Sequence, residues 1–409
     1  MKGFIILGLG MSSVLSAQID TAQVKEIQEV SFTKRLPVSK EIINVQKDLG
    51  AKNLGQDLPI LLKNQMSVVA TSDAGNGVGY TGFRIRGSAG TSINVMLNGV
   101  PYNDSESQGT FFVNIPDMAS SASQIVIQRG VGTSSNGTAS FGASVNILTK
   151  NPEEKPYFLT NQSAGSFNTF KHSFEAGTGK FLNNLLSVSA RYSIINSDGY
   201  IDRAFSKLNS YNINALFEKG NTKLRFLTFG GKEKTYQAWN GIDKATYESN
   251  PKFNYSGAIY DANWENIIGF YDNETDNYRQ NHYHLLWEQK LGKIWNLETT
   301  FHLTHGEGYY ENYKQDAKFS KYDLPNIVEN GNTITRTDFI RKKWLDNDFY
   351  GVVSNLYGNF ENVNLNFGVA ANQYFGRHFG NVSGVKYTNI FEHEYYRNNA
   401  LKNEVSGFA

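Results

Sequence analysis

Tyr80 to Thr149 reads YTGFRIRGSAGTSINVMLNGVPYNDSESQGTFFVNIPDMASSASQIVIQRGVGTSSNGTASFGASVNILT. Short apolar runs (Phe83-Arg84-Ile85, Ile93 to Leu97, Gln124 to Ile127, Ser144 to Leu148) alternate here with clusters of Gly, Ser and Asn. Brief strands joined by tight turns are predicted, in a small mixed domain.

The strand ends carry Ile85-Arg86-Gly87, Asn98-Gly99-Val100-Pro101, Gln128-Arg129-Gly130 and Phe141-Gly142-Ala143-Ser144-Val145-Asn146-Ile147. Each alone is ordinary turn chemistry. Four in this order resemble the plug domain of the TonB-dependent outer-membrane receptors.

Composition narrows the classes. The 409 residues include 27 Phe, 23 Tyr, 38 Gly and only 8 Pro, a mixture suited to many strands and turns. A mean hydropathy of −0.44 excludes a bundle of membrane helices, while a transmembrane barrel hides from such averages because alternate residues face a polar interior. The net charge of +1 gives no reason to expect nucleic acid as a partner. With no Cys there are no disulfides, thiolate metal sites or cysteine nucleophiles.

Residues 1–17, MKGFIILGLGMSSVLSA, read as a secretory signal peptide cleaved before Gln18. Residues 18–40 are read as a mobile extension in which Glu26 to Thr33 alternates like a strand. The resemblance places a TonB box there, with Ile27, Glu29, Val30 and Phe32 binding TonB, which works with its inner-membrane energising complex. Such binding adds a strand through main-chain hydrogen bonds. An unremarkable linker is the alternative.

The plug is assigned to residues 41–150. Asp57 to Lys63 reads as a short helix capped by Asp57, with Pro59 in its first turn. Two polar loops, Ser72 to Gly82 and Pro101 to Phe112, fall at strand ends, and the resemblance points them at the ligand. Tyr80, Tyr102, Asn103, Phe111 and Phe112 are therefore the expected ligand contacts. Phe111 and Phe112 serve equally well as packing of plug against wall. The resemblance also implies that Arg86 and Arg129 latch the plug to carboxylates of the wall, a role that suits the guanidinium fork. Asp104 and Glu106 are read as exposed loop carboxylates, not an acid and base pair. Gly130-Val131-Gly132 lacks the third glycine of a dinucleotide loop.

From residue 151 to 409 the texture becomes long alternating segments. Leu186, Val188, Ala190, Tyr192 and Ile194 oppose Ser187, Ser189, Arg191 and Ser193, and the same period of two recurs at Tyr211 to Glu218 and Val363 to Asn372. Short connections near Gly179, Lys219, Gly292 and Glu361 alternate with long ones, the mark of an outer-membrane barrel, except that the first connection, near Gly165 to Asn168, is short on the outer side. Trp239 to Asn277 and His305 to Leu345 are then outer loops. About ten antiparallel strands are predicted, the last starting near Leu401, against the family's roughly twenty-two, and ten cannot enclose a plug. The fold class is thus mainly β: a small α+β plug followed by transmembrane barrel strands. The chain is expected to be the amino-terminal portion of a longer receptor.

His282, His284 and, by parity about Gly292, His302 share the lumenal face. Polar lining of a water-filled lumen is the reading adopted, against a metal or haem waypoint, and no metal site or cofactor is assigned.

The resemblance implies a non-enzymatic receptor in the outer membrane of a Gram-negative bacterium, its plug and amino terminus facing the periplasm. It would import a scarce nutrient, with a ferric siderophore favoured over cobalamin, by energy-coupled plug rearrangement. A passive or adhesive barrel that binds without transport is the alternative. No Ser-His or paired-carboxylate motif supports a hydrolase, and no carboxypeptidase-like extension precedes the plug, which disfavours a glycan importer.

Overall fold

The computed structural model describes residues 40–130 and 141–408. The signal sequence and the segment holding Ile27, Glu29, Val30 and Phe32 lie outside the described residues.

The first part is a small α+β unit. Its strands are β1 (Lys40–Asn44), β2 (Val68–Ser72), β3 (Thr81–Ile85), β4 (Ile93–Leu97), β5 (Val100–Pro101), β6 (Ala122–Arg129) and β7 (Ala143–Thr149), with short helices α1 (Leu58–Leu61) and α2 (Met118–Ser121). One sheet runs β1-β6-β7-β4-β5, with β4 and β7 parallel, and β2 and β3 form a separate hairpin. Ile93, Val95, Leu97, Ile125, Ile127, Val145 and Ile147 are all buried and form its core with Leu58, Leu62 and Phe83. Asn98 and Gly99, both at positive φ, make the two-residue turn between β4 and β5. Only glycine and a few polar residues adopt that backbone cheaply, which is why Asn-Gly stands there.

Asp57 departs from the sequence reading. It occupies the cap position of α1, but its carboxylate caps nothing; it accepts a hydrogen bond from Thr81 Oγ1 at 3.1 Å. Burial beneath the plug core removes it from the helix end.

Ten long strands follow: β8 (Pro156–Gly165), β9 (Thr169–Phe181), β10 (Leu186–Ser197), β11 (Ser206–Lys219), β12 (Thr222–Tyr236), then, after the small pair β13 (Ala258–Tyr260) and β14 (Ile267–Phe270), β15 (Thr275–Leu291) and β16 (Trp295–Lys318). Beyond the short pair β17 (Ile327–Glu329) and β18 (Asn332–Ile334) come β19 (Arg336–Asn359), β20 (Asn364–Gly384) and β21 (His393–Phe408). They form one antiparallel meander from β8 to β21. Two boundaries differ from the sequence reading. β16 and β19 stay paired out to Lys318 and Arg336, so the connection is 319–335 rather than His305 to Leu345. The last strand starts at His393, not near Leu401.

The burial pattern of this wall is inverted relative to a soluble sheet. On β10 the small polar face, Ser187, Ser189, Arg191, Ser193 and Ser197, is buried against the plug, while Tyr192 and Ile194 are exposed. Phe226, Leu285, Phe301, Leu303 and Phe367 continue the exposed apolar face across the register. An apolar outer belt over a polar lining is stable only where the surrounding solvent is hydrocarbon. No described helix is long and apolar enough to cross a membrane.

Candidate functional site

Three sets of contacts seat the plug in the wall. Asp117, at the start of α2, takes Lys171 Nζ at 2.6 Å and Arg191 Nη1 at 2.9 Å, all three side chains being buried. Ser193 Oγ and Ser120 Oγ also donate to it, Ser193 at 2.7 Å. Burial alone would push the Asp117 carboxyl up, yet the Arg191 and Lys171 charges and the Lys171 and Ser120 hydrogen bonds hold it down at about 2. Arg225 on β12 donates to Thr149 Oγ1 at 2.6 Å and to the Lys150 carbonyl where the plug ends. Glu106 reaches across to β20, accepting from Tyr374 Oη at 2.6 Å and His378 Nε2 at 2.7 Å.

Among the described residues neither of the two expected latch arginines meets a carboxylate of the wall. Arg129 does not meet the wall: it is buried within the plug, donating to Glu41 of β1 and, through Nε, to the Met66 carbonyl at 3.0 Å. β1 pairs with β6, which brings Glu41 to Arg129, and that pairing could not be read locally. Arg86 sits exposed at positive φ in a tight turn with Gly87, and makes no ion pair among the described residues. The observed plug–wall ion pairs have the opposite polarity, an acid on the plug and cations on the wall. Glu106 is likewise a wall contact rather than a free loop carboxylate. Partial burial acts to raise its carboxyl, but hydrogen bonds from Tyr374 and His378 and the Lys402 charge leave it lowered. Asp104 binds its own loop at Ser107 N and Oγ, both 2.7 Å.

Above the plug, at the long-loop end of the wall, lies a cavity of about 660 Å³. That falls in the range of small-molecule sites. Tyr80, Tyr102, Asn103 and Phe111 line it from the plug; Trp239, Tyr278, Tyr310, Trp344 and Tyr396 line it from the wall. Tyr80 stands edge-on to Trp239 at 5.4 Å, its hydroxyl donating to Asp276 and lying 3.3 Å from Glu233 Oε1. Burial and those two carboxylates raise the Tyr80 phenol well above its usual range, so it stays protonated. Asp73, also on the rim, is pushed up to about 6 by burial.

Phe112 is not part of this lining. It is buried in the plug against Phe83 and Tyr102, at 5.5 and 6.3 Å. Asn103 holds its own loop: its amide donates to Ile93 O and Gln108 O at 2.9 Å and its oxygen accepts from Val95 N at 2.7 Å. The wall aromatics Tyr278, Trp344 and Tyr396 were not singled out in sequence. Parity with His282 marks Tyr278 as lumenal, but Trp344 is carried by the reach of β19 above the belt and Tyr396 by the early start of β21, and neither extension is legible in the local sequence.

His282, His284 and His302 do share a lumenal face, but all three are buried, with His282 alone of the three at the cavity lining. On the outward face, His305, Asp346 and Asp348 bring ligand atoms within 4.8 Å of one another. Arg377 reaches both aspartates there, at 2.6 and 3.2 Å, so half of their charge is already matched.

A plug held by buried ion pairs against the polar face of an amphipathic β wall is the arrangement of a plugged β-barrel. Residues 34–144 match the family described as TonB-dependent Receptor Plug Domain. That match spans about a quarter of the chain and, with the fold, supports a TonB-dependent receptor. No curated protein sequence matches it. Similar solved structures include the copper transporter OprC (TM-score 0.63, 12% identity, 91% of this chain and 53% of that one). FpvA of P. aeruginosa bound to heterologous pyoverdines aligns with TM-score 0.57, 11% identity and coverage of 92% and 50%. The siderophore receptor PiuA of Acinetobacter baumannii gives 0.54, 14%, 89% and 52%. The chain therefore spans about half the length of the structures it matches.

Proposed function

We propose that the protein takes up a scarce extracellular nutrient across the outer membrane, a ferric chelate being favoured, with TonB acting on the plug to open a path. The observation that carries this reading is the aromatic cavity shared by plug apex and wall: a ligand bound there touches both bodies, so movement of one changes its grip. Stacking surfaces and hydroxyls suit a polar organic ligand that wraps a metal. Siderophore and copper transport stand in the names of the structures of similar fold.

In this reading residues 1–17 direct export and are removed, and the long-loop end faces outward. TonB pairs with the extension at Ile27, Glu29, Val30 and Phe32. Tension on that extension is first felt at β1, which is held by its pairing to β6 and by the Glu41–Arg129 ion pair. Tyr80, Tyr102 and Phe111 contact ligand; Asp117 with Lys171 and Arg191 keeps the plug seated.

The test is deletion of residues 23–33 from the full-length receptor in cells, with a ferric siderophore as probe. Accumulation is expected to cease while surface binding survives. Undiminished accumulation, or loss of neither, would favour a passive or adhesive barrel instead.

A further inference from the structure

The lumenal histidines form a buried column that the uptake reading does not use. His282 lines the cavity and stacks on Phe229 at 4.5 Å; its Nδ1 meets Thr304 Oγ1 at 2.9 Å and its Nε2 meets Gln280 Oε1 at 3.1 Å. His284, two residues along β15, is 1% exposed, and neither of its ring nitrogens has a hydrogen-bond partner among the described residues. His302 faces it directly in the β15–β16 register. It donates Nε2–H to Asn372 Oδ1 at 2.9 Å, while its Nδ1 has no such partner. Ring centroids are 6.2 Å apart for His282 and His284, and 6.3 Å for His284 and His302.

A buried polar atom with no partner costs roughly 1–3 kcal/mol, and interiors seldom keep one without a reason. Here the unpartnered nitrogens belong to two cross-strand neighbours. The Asn372 contact also fixes the His302 tautomer: with the proton on Nε2, Nδ1 presents a lone pair inward. An outer partner of this kind is what orients a metal-binding imidazole. His284 offers a lone pair in either neutral tautomer. Two imidazoles bound to one ion through nitrogens 2.0–2.1 Å away place their ring centroids about 5–6 Å apart, so the rings must close from their present 6.2 and 6.3 Å to share an ion. Among the described residues no carboxylate joins the cluster, so its donors there are imidazole nitrogens, which suit copper and zinc and not magnesium or calcium.

We propose that His284 and His302, with His282 as a third ligand released from its hydrogen bonds, bind a divalent transition cation of the imidazole-preferring kind. The site lies just below the cavity and draws all three ligands from β15 and β16. It does not rest on the uptake reading, since binding needs neither TonB nor the chelate.

Copper(II) chloride alone, added to the purified full-length receptor, tests this by equilibrium dialysis and electron paramagnetic resonance. The expected result is about one equivalent with hyperfine coupling to two or three nitrogens. That equivalent should vanish in His284→Phe/His302→Leu and persist in His305→Ala, which alters only the outward cluster. If the double variant does not fold, His284→Gln, which preserves volume, should lower affinity at least tenfold and reduce the nitrogen coupling. No bound copper in the native receptor, or an unchanged spectrum in folded His284 and His302 variants, would overturn the site.

Discussion

Lys171 Nζ donates to Asp117 Oδ1 at 2.6 Å with both side chains wholly removed from solvent, one on the wall and one on the plug. Arg191 completes the set, so a single buried carboxylate answers two buried cations. Asp117→Asn leaves both cations without an anion. Breaking such a pair costs about 3–5 kcal/mol. The plug should melt separately from the wall in calorimetry, and Asp117→Asn/Lys171→Met should recover part of the loss because only Arg191 then lacks a partner. The depressed Asp117 carboxyl adds stability that is complete above about pH 4 and is lost as pH falls towards 2.

Asp57 behaves in the opposite sense. Desolvation raises its carboxyl to about 8, against the Thr81 hydrogen bond, which lowers it, and with the nearby Asp117 charge adding to the rise. The folded plug therefore holds a proton that the unfolded chain has released above about pH 4, and plug stability should fall as pH rises from 5 to 8. Asp57→Asn imitates the protonated acid, so it should flatten that slope. Hydrogen exchange across Leu58–Leu61 at the two pH values, in both proteins, checks it.

At Gly231 the backbone of the wall runs close against the plug. A Cβ there would lie 2.4 Å from Pro116 Cδ and 2.6 Å from Asn114 O. Neither is a flexible side-chain tip, so Gly231→Ala must push the plug off the wall, at about 1–3 kcal/mol. Cells carrying it should become more sensitive to large antibiotics. Gly269→Ala, with nothing within 4 Å, should leave them unchanged.

Glu41 pins β1 to the buried Arg129 guanidinium. Glu41→Gln removes the charge while keeping the shape, and leaves the buried guanidinium, among the described residues, with neutral acceptors alone: the Met66 carbonyl and the new amide oxygen. Exchange of the β1 amides should quicken at least tenfold, and limited proteolysis near Lys40 should begin earlier. Unchanged exchange would show that β1 is held by its ladder to β6 alone.

Much was legible in sequence because it is local. Period-two alternation in Leu186 to Ile194 depends only on which residues follow one another, and it announced the two faces of the wall. Asn98-Gly99 marked its own turn through the φ those residues tolerate, and the order of the four plug motifs pointed to the family. Lumenal parity placed His282, His284 and His302 on one face. Tertiary structure decided what those faces meet. Arg129 is defined by Glu41, 88 positions away in sequence; Asp117 by Lys171 and Arg191; Phe112 by the plug core rather than the cavity. An ionised or aromatic side chain takes its role from its desolvation and its partner, and both are properties of distant segments brought together only when the plug folds and seats in the wall.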